Sequence, residues 1–152
     1  MNQLKAVCIL KGNNAYKNLK GLVLFYELED SYLIKISISR FPVSSKVCNQ
    51  PILGIHIHEG ISCTGSPKNP FEDALGHYNP NNCNHPYHAG DLGNLFINKD
   101  GSAYKSMRID RFELKDVLNK TIILHENSDD FRSQPAGDSG NRIACGIIKI
   151  MK

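Results

Sequence analysis

Between Ser31 and Ser39 the chain alternates strictly: Tyr32, Ile34, Ile36 and Ile38 fall on one side, and Leu33, Lys35, Ser37 and Ser39 on the other. A period of two is the mark of a half-buried strand, because successive side chains leave the backbone on opposite faces. Leu4 to Lys11 and Gly21 to Leu28 read as strands as well, and Glu29-Asp30 between the second and third segments predicts a tight hairpin. The theme recurs at Ile52 to His58, Leu92 to Asn98, Ala103 to Ile109, Lys120 to Glu126 and Ile143 to Ile150, with Lys99-Asp100-Gly101 as a turn between two of them. Only Arg111 to Asn119, with Phe112, Leu114, Val117 and Leu118, suggests a helix, of a single turn or two. Eight short strands punctuated by turns predict an all-β, antiparallel sandwich or Greek-key barrel, and 152 residues suit one domain, 1–152.

Two segments break this rhythm. Residues 60–90 are dense in Gly, Pro, Asn and His, and residues 127–141 are polar and contain Gly. Loops of that length inside a compact domain are usually functional or disordered. All six histidines lie in or beside them, which favours function. His56 and His58, two apart at the end of a strand, share one face and can reach one ion. His125 ends another strand, and His77, His85, His88 and Asp91 follow one another through the first loop and its exit. Three imidazoles and a carboxylate make a closed tetrahedral zinc set, and the remaining pure nitrogen donors suit copper, zinc or nickel. Read singly, a pair such as His56–His58 is more often a polar surface or a satisfied strand end than a ligand pair. Other partners are not expected. Eighteen Lys and Arg against 15 Asp and Glu leave a net charge of only +3, with no basic cluster for nucleic acid, and no apolar run is long enough to span a membrane. No signal-peptide core precedes Lys11, so a chain that starts naturally at Met1 is expected in the cytoplasm, and one whose leader was removed is expected to be exported.

Five blocks then carry a resemblance. Gly54-Ile55-His56-Ile57-His58-Glu59, Gly76-His77-Tyr78-Asn79-Pro80, His88-Ala89-Gly90-Asp91-Leu92-Gly93-Asn94, His125-Glu126-Asn127-Ser128-Asp129-Asp130 and Gly140-Asn141-Arg142-Ile143-Ala144-Cys145-Gly146 resemble, in order, the signature blocks of copper/zinc superoxide dismutases. The opening Lys5 to Gly12 is similar to that family's first strand. The resemblance implies an immunoglobulin-like, eight-stranded Greek-key barrel with two long functional loops. It implies copper ligands at His56, His58, His77 and His125, and zinc ligands at His77, His85, His88 and Asp91, with His77 shared. Asp129 is implied to hold the non-ligating nitrogens of His56 and His85, and Arg142 to attract superoxide, a small anion. The implied reaction is disproportionation of superoxide to dioxygen and hydrogen peroxide, with His77 handling a proton. A non-catalytic copper/zinc-handling module on the same fold is the alternative.

The resemblance also implies a Cys63–Cys145 disulfide. Cys8, alternating with Ala6 and Leu10, reads as a buried free thiol. Cys83 lies two residues before His85, where it can act as a soft zinc ligand or pair with Cys48. Two features resemble bacterial members. Only Pro86-Tyr87 separates His85 from His88, and the second loop is short; Lys68, in the first loop after Cys63, is a candidate guide for an anion. The oligomeric state, monomer or homodimer, is not legible.

Overall fold

A computed structural model describes residues 2–44 and 48–152. Eight strands form in the predicted places: β1 (Gln3–Gly12), β2 (Lys20–Glu27), β3 (Tyr32–Ser39), β4 (Ile52–His58), β5 (Asp91–Phe96), β6 (Ala103–Ile109), β7 (Thr121–His125) and β8 (Arg142–Ile150). All neighbours pair antiparallel, in the order β5-β4-β7-β8-β1-β2-β3-β6. The first three strands form a meander whose second hairpin turns at Glu29-Asp30, with the Leu28 N–H bonded to the Ser31 carbonyl at 2.9 Å. The connections from β3 to β4 and from β6 to β7 each cross to a distant place in the sheet, which is the Greek-key feature. The expected helix is a single turn, α1 (Leu114–Val117). It ends because Asn119 takes a left-handed conformation (φ 68°) and gives its N–H to the Ile148 carbonyl of β8.

The sheet curls until its end strands meet. β5 and β6 share no ladder, and Lys105 of β6 crosses the seam instead, donating to the Leu92 and Asn94 carbonyls of β5 at 2.8 and 3.4 Å. Burial lowers the pKa of this ammonium. Gly93, between those carbonyls, adopts φ 86°, and a Cβ there would stand 2.8 Å from the lysine nitrogen. Inside the barrel the predicted alternation is met: Ile34, Ile36 and Ile38 point into the core with Leu10, Val23, Phe25, Leu53, Ile55, Ile57, Ile122 and Leu124. Cys8 is buried and free, and burial pushes its thiol up to about 12.

Strand β4 departs from the half-buried pattern, since every residue from Leu53 to His58 is buried. Its inner face holds Leu53, Ile55 and Ile57. Its outer face holds Gly54, His56 and His58, and the two long loops fold over it. The second loop lies so close that a Cβ on Gly54 would meet Ser139 Oγ at 2.8 Å and the Asp129 nitrogen at 3.3 Å. A Cys63–Cys145 disulfide ties the first loop to β8. Among the described residues no helix is long and apolar enough to cross a membrane. Phe25 is the bulkiest fully buried side chain, so Phe25→Ala should cost about 3–5 kcal/mol of stability in urea unfolding at constant metal loading.

Candidate metal centre

Register brings the histidines together. β4 lies between β5 and β7, with His56 opposite Asp91 on one side and Ile123 on the other, so the ends of three strands present His56, His58, Asp91 and His125 side by side. His77 joins them through an isolated bridge to His58. Two groups result, each with its donor atoms within 4.8 Å of one another: His56, His58, His77 and His125; and His77, His85, His88 and Asp91. Within them His58 Nε2 and His125 Nε2 are 3.4 Å apart, and His77 Nδ1 lies 2.9 Å from Asp91 Oδ1 and 3.2 Å from His88 Nδ1.

His56 Nε2 and His85 Nε2 donate to the two oxygens of Asp129, at 2.8 and 2.7 Å. His58 Nδ1 donates to the Leu75 carbonyl at 2.8 Å, His125 Nδ1 to the Gly140 carbonyl at 3.3 Å, and His88 to the Cys83 carbonyl. Each of these five rings is therefore held by one nitrogen and presents the other to a group. His77 is different, since its Nδ1 faces one group and its Nε2 belongs to neither hydrogen bond nor solvent. His56 Nδ1, His77 Nε2, His85 Nδ1 and Asp91 Oδ1 are all buried without a hydrogen-bond partner. Buried polar atoms are rarely left so, and four converging on two points fit cations.

The electrostatics agree. Burial holds His56 down to about 4 despite its bond to Asp129, and burial and the neighbouring His56 hold His125 at about 3. His58 lies well below its ordinary value, for burial first and then for the nearby His125 and His77. These rings are neutral bases near pH 7, the form that binds metals. Burial alone would raise Asp129 and Asp91. The hydrogen bonds from His56 and His85 outweigh it at Asp129, and His77 and His85 outweigh it at Asp91, so both stay ionised.

A cavity of about 500 Å³ opens beside the first group, lined in part by His58, His77, His125 and Arg142. Arg142 is held by the Phe71 and Leu75 carbonyls, at 2.8 and 2.5 Å. The Leu75 carbonyl thus anchors both His58 and Arg142. Lys68 stands with Arg142 around an adjoining pocket at the mouth. Despite the two-residue spacer, His85 and His88 meet in one group. Cys83 and Cys48 are free thiols, and Cys83 belongs to neither group. The carbonyls of Phe71, Leu75, Cys83 and Gly140 have no signal in the sequence, because any residue supplies one.

The family model described as copper/zinc superoxide dismutase (SODC) matches residues 19–148. A superoxide dismutase (Cu-Zn) of Deinococcus radiodurans is 32% identical over 113 residues, covering 63% of this chain and 62% of that protein. The chain therefore spans less than two thirds of that relative's length. It covers more of two others: superoxide dismutase (Cu-Zn) 1 of Aquifex aeolicus, 31% identical over 85% of this chain and 79% of that one, and superoxide dismutase (Cu-Zn) 2 of Mesembryanthemum crystallinum, 30% identical over 97% and 96%. The crystal structure of the clock protein EA4 superposes with a TM-score of 0.79 over 97% of this chain and 94% of that one, at 23% identity, a likeness of fold.

Because one carboxylate steadies a ring in each group, Asp129→Asn should weaken metal binding at both, by about 10-fold or more. Competition with chromophoric chelators, run separately for copper and zinc, measures this.

Proposed function

The chain belongs to the copper/zinc superoxide dismutase family, and from that premise we propose that it disproportionates superoxide, two superoxide ions and two protons giving dioxygen and hydrogen peroxide. In this reading His56, His58, His77 and His125 hold copper, and His77, His85, His88 and Asp91 hold zinc. The observation that carries it is His77, whose ring lies in both groups with Nδ1 facing one and Nε2 left over for the other. A lone storage site has no need of a ring shared in this way.

Copper, when bound, supplies one-electron chemistry by alternating between two oxidation states, and zinc supplies charge without redox change. The protein's own part follows from the geometry. Arg142 is half-buried, so its charge is poorly screened, and it faces the cavity beside His58 and His125, where a small anion is attracted and oriented. Burial lowers its pKa, yet a guanidinium stays charged near neutral pH. His77 Nε2, buried without a hydrogen-bond partner, would be the atom that holds one of the two protons the reaction consumes, the second coming from water. The Leu75 carbonyl keeps Arg142 and His58 in fixed relation, so the anion and the ring system stay aligned. Lys68 extends the positive potential toward the mouth.

Loaded with both metals, the protein should speed superoxide decay far beyond free-metal controls. His125→Ala should return the rate to those controls, and Arg142→Ala should lower it about 10-fold, the loss of roughly 1.4 kcal/mol of anion stabilisation. Decay at the control rate, with both metals verified in place, would reduce the protein to a metal-handling module.

A further inference from the structure

Gln134 lies at the surface of the second loop, yet its side chain makes the two hydrogen bonds that a paired strand would make. Its Oε1 accepts the His85 N–H at 2.8 Å, and its Nε2 donates to the His85 carbonyl at 2.7 Å and to the Arg132 carbonyl at 3.1 Å. A backbone N–H and a backbone C=O fix which end of the amide is which, so the orientation is set by chemistry. His85 is then gripped twice by the same loop. Gln134 holds its backbone, and Asp129 holds its ring through Nε2. The free end is Nδ1, buried, without a hydrogen bond and 3.1 Å from Asp91 Oδ2.

The need for such a grip follows from the short spacer. With only Pro86 and Tyr87 between His85 and His88, little chain between the two rings is left to pack against His85 and fix it. The strap that starts at Gln134 then presses onto the site. Gly137 adopts φ 71°, and a Cβ there would overlap Asp129 Oδ1 at 2.1 Å and His85 Nε2 at 2.6 Å. Further along, the Gly140 carbonyl receives His125 Nδ1.

We infer that Gln134 is a positioning residue for the zinc group: by clamping the His85 backbone it sets how tightly His77, His85, His88 and Asp91 hold their cation. This rests on the reading of that group as the zinc site. The copper group depends on it less, since His58 is anchored by the Leu75 carbonyl of the first loop and the hydrogen bonds of Gln134 go to His85 and Arg132 alone.

Two variants test it. Gln134→Met keeps the length and removes all three hydrogen bonds. Gln134→Glu keeps the acceptor for the His85 N–H but sets a carboxylate against the carbonyl. Zinc affinity, measured by chelator competition, should fall about 10-fold or more in both, while copper affinity changes by less than about 3-fold. Cobalt(II) bound in place of zinc should show altered visible bands, a signature that global stability does not move. Zinc affinity and cobalt bands matching the wild type in either variant would overturn the inference, as would equal losses of zinc and copper. A metal-free Gln134→Met that does not fold by circular dichroism would assign the residue to folding instead. Wild-type protein that takes up no zinc would sink the zinc reading itself, and this inference with it, and is distinguished from the other failures by appearing before any substitution.

Discussion

The carboxylate of Asp129 has one oxygen on His56 and the other on His85. The two rings belong to different groups and different parts of the chain, one on strand β4 and one in the first loop. Without that bridge, each ring could rotate about its side chain, and an imidazole turned over presents the wrong nitrogen. The bridge needs Asp129 itself to be fixed, and Asn94 of β5 does so by pairing with both its N–H and its C=O, at 2.7 and 3.0 Å. The barrel thereby determines the direction of both rings through two successive hydrogen-bonded contacts. Metal sites depend on such outer contacts nearly as much as on the ligands.

Burial supplies the second half of the design. On most antiparallel sheets one face is dry and the other wet. Strand β4 is dry on both faces, because the loops cover the side that carries His56 and His58. Water is thereby removed from around these rings, and their protonated forms are disfavoured. The same cover leaves Arg142 at the rim with its charge intact, between the buried rings and the solvent. One layer of loop thus makes neutral donors below and a cationic entrance above.

Much of this was legible in the sequence, for particular reasons. The strands were, because Ile34, Ile36 and Ile38 obey a two-residue period and the barrel interior demands it. His56 and His58 were, because that same period places them on one face. Whether His77, His85, His88 and Asp91 converge could not be read from periodicity, since loops have none, and the family blocks carried that expectation. The single helical turn within 111–119 was legible too, because the apolar spacing of Phe112, Leu114 and Val117 reflects their burial on one side of it. Least legible were the acceptors. The Leu75 and Gly140 carbonyls are invisible in a string of side chains, and Gln134 reads there as one more polar loop residue.

Lys105 carries a consequence beyond closing the barrel. A sheet that ends in an unpaired strand exposes a row of backbone groups on which another chain can crystallise as a further strand, the first step of many aggregates. Here the ammonium turns the Leu92 and Asn94 carbonyls toward its own side chain, and the left-handed Gly93 interrupts the straight run between them. The open edge of β5 is thus a poor template for another chain's backbone to extend as a further strand.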